Sequence, residues 1–192
     1  MGVNTKSHIM ITGMARLLNP PINMVLLGSQ RMRPTVKVKH RSARKHYMTI
    51  PSLFRQVICI DINGKDSCYD QDLSVRLRDW AMDEWFDLLY NGGTLEHVEN
   101  QREAWRNAHY LLRPGGVAVH VCPLVGGWRK HSDYLYMRSF FDELVAANNY
   151  KMAIMPQVVQ HPKGEALYIA FRKEKKSIFH WKQAAPFAVK QV

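Results

Sequence analysis

From Asp61 onward the chain alternates short apolar runs with stretches of helical periodicity. Residues 56–61 form a β-branched run ending in an acid and followed by Asn63-Gly64, a turn pair. Residues 85–90 form a second run, closed by Asn91-Gly92-Gly93. Thr94 is then placed to cap a helix, with Glu96 and Glu99 at its positive end. Leu95, Val98, Trp105 and Leu112 recur at helical spacing until Arg113-Pro114-Gly115-Gly116 stops the helix. Residues 117–122 read as a third strand. A helix starting at Ser132 or Asp133 follows, with Leu135, Phe140, Phe141, Leu144 and Val145 as its apolar face and Asn148-Asn149 as its end. Residues 152–159 and 166–171 read as two more strands. Earlier, residues 24–27 before Gly28-Ser29 predict an opening strand, preceded by a short helix around residues 10–18 and the break at Pro20-Pro21. Residues 31–55, charged and carrying Pro34 and Pro51, predict an inserted loop or short helix.

Strands separated by helices imply parallel crossovers with helices on both sheet faces. The expected fold is a doubly wound α/β domain with a mostly parallel sheet, its last two strands forming an antiparallel edge hairpin. Ligands of such sheets sit beyond the carboxyl ends of the strands, near the switch in strand order. That places Gly28-Ser29-Gln30, Asp61, Asn91-Gly92-Gly93 and Cys122-Pro123 around one crevice. The chain reads as a single domain over residues 1–192, with a basic segment at 1–55 and a basic tail at 173–192 that packs on the domain or stays mobile.

The charge distribution sharpens this picture. Net charge is +11, yet no Asp or Glu precedes Asp61 while ten Lys and Arg do. The excess is concentrated at Arg31, Arg33 and the run 37–45, and such a cationic segment attracts phosphates, acidic sugars or a polyanion. A solvated surface loop is the plainer reading of the same charges. Apolar residues at 46% and charged residues at 22% exclude disorder. Three cysteines without paired C-x-x-C spacing argue against a disulfide framework or a zinc knuckle and fit a reducing compartment. No metal ligand set is read. With no transmembrane run or signal pattern, and Lys6 where myristoylation needs Ser or Thr, a cytoplasmic protein is expected.

The segment from Phe86 to Val98, containing Asn91-Gly92-Gly93-Thr94-Leu95-Glu96-His97, resembles the fourth-strand motif of class I S-adenosylmethionine-dependent methyltransferases. Leu111-Leu112-Arg113-Pro114-Gly115-Gly116 is similar to the turn before that family's fifth strand, and Gly126-Gly127-Trp128-Arg129-Lys130-His131 resembles the branch acting on small molecules and sugars. The resemblance implies a Rossmann-like fold, S-adenosyl-L-methionine as cofactor and S-adenosyl-L-homocysteine as product. By it, Asp61 accepts from the ribose hydroxyls with Ile62 beside it. Asp72 accepts from the adenine amino group, and Leu73 offers its amide to the ring; Asp70 competes with Asp72. Gly28, Ser29 and Gln30 face the amino-acid end, and Asn91 and Gly92 shape it. The first-strand loop departs from the family. Leu26 stands where an acid is usual, and Gly28 is the one glycine of the turn.

Methylating a hydroxyl calls for a general base, and histidine is suited to that near neutrality. His131 and His97 are the candidates, each read as a helix-start imidazole kept neutral by the helix N-terminus; His97 equally reads as a brace of its loop and His131 as an exposed loop residue. Cys122 reads as a buried strand-end thiol rather than a nucleophile, and Trp128, Tyr134 and Tyr136 as packing residues or a stacking platform. The leading expectation is a methyltransferase acting on a hydroxyl or similar group of an anionic small molecule or glycan. The alternatives are an RNA or DNA methyltransferase using the basic N-terminal third, and a non-catalytic binding protein on the same fold. Membrane insertion is not expected.

Overall fold

The computed structural model describes residues 2–38, 40–77, 82–181 and 188–190. Lys39 of the basic run and residues 182–187, 191 and 192 of the tail lie outside the described residues.

Period-two alternation in the central strands builds the sheet. In strand β1 (Ile22–Leu27), Met24 and Leu26 point to one face and Val25 and Leu27 to the other, all fully buried. Helices α1 (Thr5–Leu17) and α2 (Ala43–Tyr47) cover the first face. β2 (Phe54–Asp61) and the short β3 (Tyr69–Asp70) extend the sheet on one side of β1; β4 (Phe86–Gly92) and β5 (Leu112–Pro123) extend it on the other. Helix α3 (Gln101–Leu111) joins β4 to β5, and with α4 (Arg138–Ala147) it packs on the second face. The hairpin of β7 (Lys151–His161) and β8 (Gly164–Arg172) closes the β5 edge antiparallel. Sheet order is β3-β2-β1-β4-β5-β8-β7, with a separate two-strand pair of β6 (Tyr134–Tyr136) and β9 (Ala188–Lys190). The first four pairings are parallel, so the expected α/β architecture is observed. Among the described residues no helix is long and apolar enough to cross a membrane.

Three local expectations are corrected. Thr94 does not cap a helix, because residues 95–97 form one 3-10 turn and α3 starts only at Gln101. Asn100 is its cap, accepting from the Glu103 amide at 3.2 Å. The segment read as the start of α4 is first a strand, β6, so Leu135 belongs to that strand. Cys59 and Cys68 form a disulfide, with Cα atoms 4.5 Å apart, so the arguments against a disulfide and for a reducing compartment both fall. Odd cysteine number hid it: β3 runs beside β2 and brings the pair together, leaving Cys122 free and buried. Part of the tail packs on the domain, since His180 N–H donates to Asn148 Oδ1 at 2.8 Å and Phe179 is buried.

Candidate active site

At the carboxyl ends of β1, β2 and β4, where strand order reverses, lies a cavity of about 650 Å³. Gly28, Ser29, Gln30, Asp61, Ile62, Asp72, Leu73 and Gly92 all line it, as does His97. Asn91, His131 and Cys122 do not, and neither does Asp70.

The turn after β1 is held by contacts that differ from a glycine-rich loop. Gly28 has φ 79°, the left-handed region, and a Cβ there would run into the Thr94 side chain. Thr94 Oγ1–H donates to the Leu27 carbonyl at 2.7 Å, and Gln30 Nε2 donates to the same carbonyl at 2.8 Å and to Thr94 Oγ1 at 3.0 Å. Thr94 therefore ties β1 to β4. Its signal in the sequence was the place next to Asn91-Gly92-Gly93. Gln30 Oε1 is left as a buried acceptor without a partner. Leu26, at the position of the usual acid, is wholly in the core and offers the cavity no acceptor, whereas Gln30 is part of the cavity lining.

Asp61 closes β2. Its Oδ2 accepts from the Ser29 amide at 2.7 Å and its Oδ1 from the Asn63 amide at 3.3 Å, while the group stays part-exposed on the cavity wall. Asp72 folds onto Ser74, accepting from its amide at 2.7 Å and its hydroxyl at 2.8 Å, and still faces the cavity. Asn91 shapes the site from beneath: its Oδ1 accepts from the amides of Thr94 and Leu95, and its Nδ2 donates to Cys122 Sγ. Burial pushes the Cys122 thiol up, which removes it as a nucleophile. Trp128 and Tyr136 are buried, with Trp128 Nε1–H donating to Glu165 and Tyr136 O–H to Gln101, so they pack rather than stack a ligand.

The amino-terminal residues form a wall that sequence reasoning did not foresee. Gly2 N–H donates to Gly92 O at 3.1 Å, and Val3 pairs with Met32. This brings Arg31 and Arg33 to the cavity beside Gly2. Arg31 is exposed and stands 3.9 Å from Asp66.

His97 lies in the 3-10 turn and His131 behind it, ring centroids 5.5 Å apart. Neither begins an α-helix, so the expected helix-terminus effect is replaced by burial. Burial lowers the pKa of His97, and burial with nearby positive charge lowers that of His131 to about 4. Both are neutral at pH 7. Glu96, immediately before His97 in sequence, is fully buried, and both its carboxylate oxygens lack a hydrogen-bond partner. Burial pushes its pKa up to about 7.

Residues 45–120 match the family described as a methyltransferase domain. The match begins after β1, the part that departs from the family. Similar folds include the 1,6-didemethyltoxoflavin N1-methyltransferase of Burkholderia thailandensis, solved with 1,6-didemethyltoxoflavin and S-adenosylhomocysteine. It is 15% identical with TM-score 0.57, covering 84% of this chain and 76% of that one. The N-methyltransferase NodS of Bradyrhizobium japonicum WM9, in complex with S-adenosylhomocysteine, is 16% identical with TM-score 0.56 over 88% of each chain. The [4+2]-cyclase SpnF reaches TM-score 0.60 at 11% identity, over 89% of this chain and 82% of that one. No curated protein sequence matches. The sequence match covers residues 45–120, and the strand order is that of a fold shared with these methyltransferase structures. One feature of the cavity suits S-adenosylmethionine: Gln30, on its lining, keeps an orphaned buried acceptor, Oε1, that matches an ammonium group.

Proposed function

We propose that this domain methylates a hydroxyl or similar group of an anionic small molecule or glycan. One observation carries the reading: Asp61, Arg31 and Arg33 line the same cavity. A carboxylate accepts paired ribose hydroxyls, whereas guanidinium groups recognise phosphate or carboxylate. Asp61 with Ile62 holds the ribose, and Asp72 and Leu73 hold the adenine. Gly28, Ser29 and Gln30 hold the amino-acid end, with Asn91 and Gly92 shaping the loop. When bound, the cofactor supplies an electrophilic methyl group on its sulfonium. The chain's own part is to align the acceptor, exclude water and accept a proton. Neutral His97 stands at the wall for that proton, with His131 behind it as its partner or replacement. The 1,6-didemethyltoxoflavin bound in a structure of similar fold supports a small acceptor here.

Calorimetric titration with S-adenosylmethionine and S-adenosylhomocysteine comes first, followed by labelled-methyl transfer to phosphorylated sugars, neutral sugars and RNA. Micromolar cofactor binding and transfer to phosphorylated sugars alone are expected. Transfer to RNA alone would move the acceptor to nucleic acid. A second reading rests on Leu26: without the usual acid, and with a cyclase on the same fold, a domain doing no methyl transfer would bind neither compound.

A further inference from the structure

The group formed by Glu96, His97 and His131 is not explained by cofactor binding. Their ligand atoms lie within 4.8 Å of one another. Glu96 is fully buried, and both carboxylate oxygens lack a hydrogen-bond partner. His131 Nε2 is likewise buried and unpartnered. A carboxylate stripped of water and given no donor is costly, by several kcal/mol for an uncompensated charge. Two neutral imidazoles converging on it supply lone pairs but no obligatory counter-charge. A cation satisfies all three at once. Donors bound to one ion at about 2.0–2.2 Å stand roughly 3–4 Å apart, which side-chain rotation of about an ångström reaches from here.

We infer that Glu96, His97 and His131 bind one divalent transition-metal ion at the acceptor end of the cavity. Two nitrogens and one oxygen suit Zn²⁺, Mn²⁺ or Co²⁺ rather than Ca²⁺ or Mg²⁺, which take mostly oxygen. Three protein ligands leave coordination positions open, and His97 on the cavity wall directs them toward the acceptor. An ion there holds an acceptor oxygen and lowers the pKa of its hydroxyl, whose proton passes to solvent instead of to an imidazole. The neutral imidazoles required of a base are also the form that binds metal. Residue by residue the sequence concealed this, because Glu96 reads as a helix-start carboxylate and His131 lies 35 positions from Glu96 along the chain.

The inference rests on the methyl-transfer reading only for what the ion does, so binding is tested apart from activity. The full chain, stripped with chelator, is titrated with Co²⁺ by its visible d–d absorption, and with S-adenosylhomocysteine by calorimetry. One Co²⁺ equivalent is expected, with affinity falling at least about tenfold in His131→Ala and in Glu96→Gln while S-adenosylhomocysteine affinity in His131→Ala stays within about twofold. Zn²⁺ should displace the Co²⁺ spectrum. No Co²⁺ binding, or equal binding by the variants, overturns the metal site whatever the cofactor result. Co²⁺ binding without any binding of S-adenosylhomocysteine supports the metal site and removes the methyltransferase reading instead. Circular dichroism of each variant guards against simple misfolding, and His97→Gln gives a third ligand variant if one does not fold.

Discussion

Asp61 has one observed role and one proposed role. The family resemblance makes it the ribose acceptor, while the structure also has it receive the Ser29 amide and so pin the loop after β1. Asp61→Ala should weaken S-adenosylhomocysteine binding by about 1.5–3 kcal/mol, the worth of hydrogen bonds to a charged group, as read by calorimetry. Unchanged affinity in a folded variant would displace the ribose contact. Gly28→Ala meets both a left-handed φ and the Thr94 side chain, so cofactor affinity and melting temperature should fall together. Buried histidines set the acid limit. Burial lowers His109 to about 4 and His120 to about 3, although His109 also bonds Tyr150 and Ser177. Because both folded values lie below the free value near 6.5, the unfolded chain binds protons first. Stability is therefore full above about pH 6.5 and falls as pH drops toward 4, by roughly 1 kcal/mol per pH unit for each histidine. His120, stacked 5.0 Å from Phe171 with neither ring nitrogen bonded, accounts for one share. In urea unfolding at pH 7, 6 and 5, His120→Phe should flatten that slope by roughly 1 kcal/mol per pH unit without loss at pH 7.

At the scale of elements, strands were more legible than helix ends. Short apolar runs identified β1, β2, β4, β5 and β8, since burial on both faces demands continuous apolar residues, and β7, largely exposed, was read as their edge partner. The 3-10 turn at 95–97 was misread because Thr94 is a good cap by composition; in the structure its hydroxyl is already spent on Leu27. The Cys59–Cys68 bridge ties β2 to β3 beside Asp61 and Asp72. Closing a loop of about ten residues limits the unfolded chain by about 2–3 kcal/mol on the loop-entropy account. Thiol reductant should lower the urea midpoint correspondingly, and the Cys59→Ala/Cys68→Ala variant should be insensitive to reductant. A midpoint indifferent to reductant in the wild type would mean the bridge contributes nothing.

For the whole molecule, the charge asymmetry gains a location. Arg31 and Arg33 are carried to the cavity by the pairing of Val3 with Met32, and the basic segment thus borders the site instead of lying apart from it. If these arginines hold an anionic acceptor, Arg31→Ala/Arg33→Ala should raise the KM for a phosphorylated acceptor at least about tenfold with kcat nearly unchanged. Added salt should raise the wild-type KM and have less effect on the variant. A lowered kcat at constant KM would place the arginines in alignment of the reacting groups rather than in acceptor binding.

The sequence by itself determined the α/β class and the switch-point crevice, and suggested the cofactor by resemblance, because apolar periodicity and the Leu95-Glu96-His97 and Arg113-Pro114-Gly115-Gly116 motifs are local signals. Only the tertiary structure decided what lies behind that crevice. Thr94 locking onto Leu27, Cys59 meeting Cys68, Gly2 closing on Gly92 and His131 approaching Glu96 all join residues far apart along the chain. Such contacts depend on which strands become neighbours, and side-chain patterning along one segment carries no record of that.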